Sequence, residues 1–324
     1  MSLFVSLISA GLLVLPGQAA QDPAPPAPVS APDPQAGVQE PAVELGAVEV
    51  TGPRPVEERA AAFIDEVAAA PRGRGLGRWD RAICVGAANM SGRYARFMID
   101  RVSTVALDLG LEIGEPGCRP NIMIAAAADA DELAVALVRD DPNGFRPALN
   151  QTDLGSRALA LFQTTDAPVR WWHVSLPVSV DTGDVAIRLN GEEAPAVRVR
   201  DVSRLRANVR DDLVRVVIIL DTPRIGRISY GALSDYVALV ALAQIDPAAD
   251  TSDWPSVLNL FTAAEPPAGL TDWDRDYLQS LYAARRDRAR PTQQAREIVS
   301  GMVDARTREP EPETEPETGA APTP

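Results

Sequence analysis

The chain has 324 residues, 46% of them hydrophobic, and 45 acidic against 31 basic side chains for a net charge of −14, so it can bury a real core. All 31 basic residues are arginine, which excludes pyridoxal-type anchors, a Walker lysine and Ser-Lys pairs, since each needs an ammonium group. The acidic balance argues against a nucleic-acid partner, and the arginine-rich "VRVRDVSRLRANVRDD" is interrupted by aspartates in the manner of a solvated mixed-charge face.

At the N-terminus an apolar run from Leu3 to Leu15 precedes Pro16, Gly17 and small residues. That is the length of a signal-peptide core and too short to cross a bilayer. Gly17 and Ala19 fit cleavage after Ala19, although no arginine precedes the run. The expectation is a signal peptide over 1–19 and a periplasmic or otherwise exported mature chain with no integral membrane span. Residues 20–55 are rich in Pro and Ala and read as an extended linker, and residues 307–324 as a disordered Pro/Glu tail. The folded part is expected at 56–306, as one domain or as two subdomains at about 56–150 and 151–306. Only Cys84 and Cys118 are present, and an even pair in an oxidising compartment points to a disulfide; two buried thiols are the alternative.

Within the folded part, "PVEERAAAFIDEVAAA" predicts a helix with Phe63, Ile64 and Val67 on one side. The spacing of Tyr94, Phe97, Met98, Val102, Val105 and Leu109 predicts an amphipathic helix over Gly92 to Leu111. "CRPNIMIAAAA" reads as a buried strand and "DADELAVALVRD" as a capped helix. "VRWWHVSL" and "DVAIRL" read as strands, and the β-branched "VRVVIILD" as a central, doubly covered one. The next segment is apolar on almost every side from Leu233 to Ile245, predicting an interior helix stopped by Asp246-Pro247. "LTDWDRDYLQSLYAA" and "PTQQAREIVSGMVDA" predict two amphipathic helices. The fold class is α/β, with mixed α+β as the variant: a central sheet packed by helices.

His173 is the only histidine. Strand alternation puts it on one face with Val169, Trp171 and Ser175. A catalytic reading makes it the general base of a serine hydrolase, and "GRISYG" offers Ser229, but the nucleophile-elbow pattern has one residue between glycine and serine, whereas two stand here. The other reading, an aromatic-flanked strand residue with a satisfied ring, is preferred. One histidine and two cysteines expected to bond to each other cannot assemble the usual zinc ligand sets, so no metal and no cofactor are assigned. "DWDRD", Asp272 to Asp276, begins like a calcium loop, yet Tyr277 and Ala283 stand where glycine and glutamate are needed. It reads better as a helix start with Thr271 as N-cap, Asp274 as capping-box acid and Leu270 as staple. The acid pairs Glu192-Glu193 and Asp211-Asp212 would suit glycoside chemistry only at particular separations.

The order "LSDYVALVALAQIDP", "PSVLNLF", "LTDWDRDYLQSLY" over about residues 214–282 resembles a family of uncharacterised exported proteins of Gram-negative bacteria. In that family the helix after a central strand looks like the active-site helix of zincin metallopeptidases. The resemblance implies a zincin-like scaffold; the zincin ligand pair, four residues apart with a glutamate between, is missing here, because between Ala232 and Ile245 only Asp235 and Tyr236 are ionisable. "GAVEVTGPR", Gly46 to Arg54, is similar to the energy-coupling box of TonB-dependent receptors, which implies a strand that docks on a partner's sheet; a chance β-prone patch in a linker is the alternative. The resulting expectation is a non-enzymatic binding module of the cell envelope, a degenerate scaffold whose partner is an envelope protein or a small ligand. The alternative is a periplasmic hydrolase using His173 with Ser229 or a carboxylate pair.

Overall fold

The computed structural model describes residues 55–149, 151–197 and 205–307. The expected signal peptide, the Gly46–Arg54 segment, the linker up to residue 54 and the tail after Thr307 lie outside the described residues. Helix α1 (Val56–Val67) has Glu57 and Glu58 in its first turn, where the helix dipole favours anions, and buries Ala60, Phe63, Ile64 and Val67. Strand β1 (Val85–Ala88), helix α2 (Gly92–Asp108) and strand β2 (Ile122–Ala127) form a parallel β-α-β unit. Helix α3 (Ala130–Asp140) starts at Asp129, whose carboxylate accepts from the Glu132 amide at 2.8 Å. The short helix α4 (Pro142–Phe145) and helix α5 (Ser156–Thr164) lead to strand β3 (Val169–Ser179). Strand β4 (Val209–Asp221) follows, then α6 (Thr222–Ile225), α7 (Tyr230–Leu242), a 3-10 turn at Val257–Phe261, α8 (Asp272–Ala283) and α9 (Pro291–Thr307).

The sheet order is β1-β2-β4-β3, parallel except for β3, which runs antiparallel to β4 and occupies an edge. β4 is covered on both faces, as its run of β-branched residues requires. Val216, Ile218 and Leu220 point into one core with α1, α2, α7, α8 and α9, while Val217 and Ile219 point into a second with α3, α4 and α5. The fold is therefore mixed α/β, with helices on both sides of a four-stranded sheet among the described residues. The chain is not divided near residue 150: β2 pairs with β4 across that point, and the described residues belong to one compact unit.

Three expectations change. "DVAIRL" forms no strand; it turns back at Gly183 (φ +74°) and meets β3 only through the bridge of Val185 to Val178, because alternation without a continuous partner edge gives no ladder. Tyr94 and Phe97 are half-exposed, since Met98, Val102, Val105 and Ala106 fill the core-facing stripe of α2, and both rings stack on Tyr230 instead, at centroid distances of 4.7 and 5.5 Å. Helix α7 ends at Leu242, four residues before Asp246, where Ala243 turns extended and brings Ile245 into a bridge with Ala68. Cys84 and Cys118 are bonded to each other, with Cα atoms 6.1 Å apart.

Candidate binding cleft at the open edge of the sheet

The stretch Arg170–His173 sends four consecutive side chains alternately to the two helical layers, and each donates to carbonyls at the end of an element. A helix leaves its last carbonyls without internal partners, and a buried helix cannot give them to water. α7 is buried almost throughout. His173 Nε2 lies 2.7 Å from the Val240 carbonyl, Trp79 Nε1 donates to Ala241 at 2.9 Å, and the Tyr282 hydroxyl donates to Leu242 at 2.8 Å. Trp171 Nε1 continues the series on Ile245 at 2.9 Å. On the other face Trp172 Nε1 donates to Phe145, the last residue of α4, at 2.8 Å. The Arg170 guanidinium, almost fully buried, donates to Phe162, Gln163 and Thr165 at the end of α5 and pairs with Asp131 at 2.7 Å.

The imidazole is therefore a helix cap. A carbonyl partner fixes the tautomer with the proton on Nε2. Burial lowers its pKa from 6.5 to about 4, opposed only by the Val240 hydrogen bond, so the ring is neutral at pH 7. Because the folded-state value is depressed, this stabilisation is complete above pH 6.5 and is lost as pH falls toward 4, an amount of about 3 kcal/mol. As the only histidine, it gives a single Hε1 resonance to follow in a proton NMR titration of the folded chain. The midpoint is expected near 4; a midpoint near 6.5 would refute the burial account.

Ser229 is the N-cap of α7 and its oxygen accepts from the Ala232 amide at 3.1 Å. It sits at the opposite end of the helix from Val240, eleven residues or roughly 16 Å away at the helical rise, so His173 and Ser229 are not brought together. Asp211 and Asp212, adjacent on β4, bond separately to Arg74 and to Arg210 and Arg286. Glu192 and Glu193 are exposed on a turn. Asp274 accepts in the expected capping box with Thr271, and Asp276 pairs with Arg306. Asp235, on the helix of the zincin resemblance, is held by Arg101 and accepts from the Leu270 amide at 2.9 Å. Among the described residues no group of three His, Cys, Asp or Glu side chains is placed to hold a metal ion, and no helix is long and apolar enough to cross a membrane.

What this architecture leaves open is the backbone of β3. The Asp221 amide donates to Pro168 O at 2.9 Å, which sets the phase of the β3/β4 ladder. Alternate residues Arg170 and Trp172 thus turn their N–H and C=O toward β4, and Val169, Trp171 and His173 turn theirs away from the sheet. Further along, that outer edge is occupied: Ser175 N donates to Thr152 O, Ala186 N to Pro177 O and Ser179 N to Asp184 O. Over Val169, Trp171 and His173 the outward main-chain groups meet no partner among the described residues.

A cleft of about 480 Å³ lies along this edge. One wall comes from α5 and its flanks, with Leu154, Leu161 and Phe162, and the other from the 246–262 segment, with Leu258 and Phe261. Leu161 is 58% exposed, and the Tyr236 hydroxyl, whose pKa burial pushes far up, is a neutral donor at the cleft with no hydrogen-bond partner among the described residues. Local sequence pattern places Trp171 and His173 on a strand but carries no sign of this cleft, because its floor is main chain and its walls come from segments about 90 residues apart (154–168 and 246–262). Comparison with protein-family models, with curated proteins and with solved structures gave no match.

Proposed function

We propose that this chain is a binding module that accepts an extended polypeptide segment along the open edge of β3. The observation that carries the reading is the row of outward main-chain groups at Val169, Trp171 and His173, which meet no partner among the described residues although these buried residues line an apolar cleft. A repeat of two residues is the spacing that an added strand satisfies. Apolar walls on both sides suit side chains that alternate between them, so the partner is a segment of about five residues with aliphatic or threonine side chains on both faces. Export to the cell envelope fits the disulfide, which persists in oxidising compartments, and the apolar run at Leu3–Leu15. On this reading the zincin-like helix is a scaffold element: Asp235 is engaged by Arg101, and Tyr236 lines the cleft.

The probe is acetyl-Val-Thr-Val-Thr-Val-amide, titrated into the full chain by calorimetry and followed by tryptophan fluorescence from Trp171 and Trp172. Binding is expected, with a loss of roughly ten-fold or more when the alternate amides that face β3 are N-methylated, since each methyl removes a main-chain donor. Leu161→Arg, at an exposed wall position, is expected to weaken binding to a similar degree without unfolding the chain. Equal affinity for the N-methylated peptide would replace strand addition by a small apolar ligand, for which a cleft of this volume is also sized.

A further inference from the structure

We infer a second site, independent of the cleft: an arginine-lined cavity at the start of α9 that binds a small phosphate monoester. The cavity, of about 310 Å³, is lined by Arg74, Arg285, Arg286, Arg288 and Arg290 with Asp211 as the lining carboxylate. The neighbours that pair with these groups do not neutralise them. With Arg78 and Arg210, seven arginines stand against Asp80, Asp211, Asp212, Asp287 and Glu297, an excess of two positive charges on a chain whose net charge is −14. Arg78 feels this crowding: burial, and then the charge of Arg286, lower its pKa to about 10. A concave, cation-lined pocket focuses potential toward an anion.

The shape is set in advance. Gln294, in the first turn of α9, accepts from the Leu76 amide at 2.8 Å and donates to the Leu76 carbonyl at 3.0 Å, holding the 73–76 loop against the helix start. That start adds the positive end of a 17-residue helix dipole. Arginine forks match tetrahedral oxyanions better than a point charge would, and a doubly charged group uses the local excess fully. Leu76, Pro177, Ile187 and Val209 supply apolar wall for a short organic moiety. Arg290 is exposed and makes no ion pair among the described residues, so its guanidinium is free to close on the ligand.

The test is calorimetric titration of the full chain with glycerol 3-phosphate at fixed ionic strength, with glycerol as control. Saturable binding is expected for the phosphate alone, weakened roughly five-fold or more by Arg290→Gln and by Arg285→Gln, and less by Arg290→Lys, which keeps the charge and loses the fork. Both positions are exposed, and circular dichroism checks that the variants fold. No saturable heat at fixed ionic strength, equal affinity in both glutamine variants, or binding only to phosphatidic acid vesicles would overturn the site. None of these outcomes depends on peptide binding at β3.

Discussion

Asp274→Ala is expected to destabilise the folded chain by about 4 kcal/mol, one of the largest effects of a single side chain here, because it strands several buried donors at once. The carboxylate is fully buried. One oxygen accepts from the Ser256 hydroxyl at 2.5 Å; the other accepts from the Val257 and Thr271 amides at 2.8 and 2.9 Å and lies 2.8 Å from the Thr271 hydroxyl. It thereby joins the start of the 3-10 turn to the start of α8. Burial raises its pKa above the ordinary carboxylate value, and these donors offset that only in part. Asp274→Asn separates the hydrogen bonds from the charge. Its carbonyl oxygen keeps the two amide donors, and the Ser256 hydroxyl can rotate to accept from the new amide, so the loss is expected to fall to about 1–2 kcal/mol. Urea denaturation of the three proteins measures both differences. Equal losses for alanine and asparagine would mean that the donors are not what Asp274 contributes.

The same residue marks how far the sequence is legible. Thr271 and Asp274, three apart before an apolar run, predict the capping box, because both partners lie within one turn. The bonds to Ser256 and Val257 come from a segment 18 and 17 residues away, and no local pattern announces them. The same division runs through the molecule. Periodicity locates α1, α3, α7 and α8, and the apolar run of β4 reveals a strand covered on both faces. It also places Trp171 and His173 together on one face of β3, where they do lie. It does not show that β3 sits at an edge, since strand order depends on where chain segments cross. Nor does it show what a lone histidine bonds to. Val240 carries no side-chain signal; the partner is a carbonyl exposed by the end of a helix.

Arg170, Trp172 and His173 bond carbonyls at helix ends and Trp171 bonds the Ile245 carbonyl just beyond α7, so the indole and guanidinium donors of this stretch are largely committed within the fold. If β3 accepts a strand as proposed, recognition would fall to main-chain groups for affinity and to the cleft walls for selectivity, as strand addition generally divides them. The proposed site would then bind a class of segments rather than one sequence.

The disulfide bears on the opposite edge of the sheet, and its removal is the second large effect. Cys84 immediately precedes β1 and Cys118 lies in the loop before β2, a separation of 34 residues that encloses the whole β1-α2-β2 crossover. Closing a loop of that length restricts the unfolded chain by about 4 kcal/mol in the chain-entropy account. β1 has only four residues and a single strand neighbour, β2, so it has less main-chain support than the interior strands. The double variant Cys84→Ala/Cys118→Ala is expected to lose about 4 kcal/mol in urea denaturation, and to melt roughly 10 °C lower. The loss should be uneven: amide exchange in β1 is expected to rise well above that in β4, which is paired on both sides and buried on both faces. A variant that loses stability while β1 and β4 exchange in step would instead place the effect on the unfolding of the whole sheet.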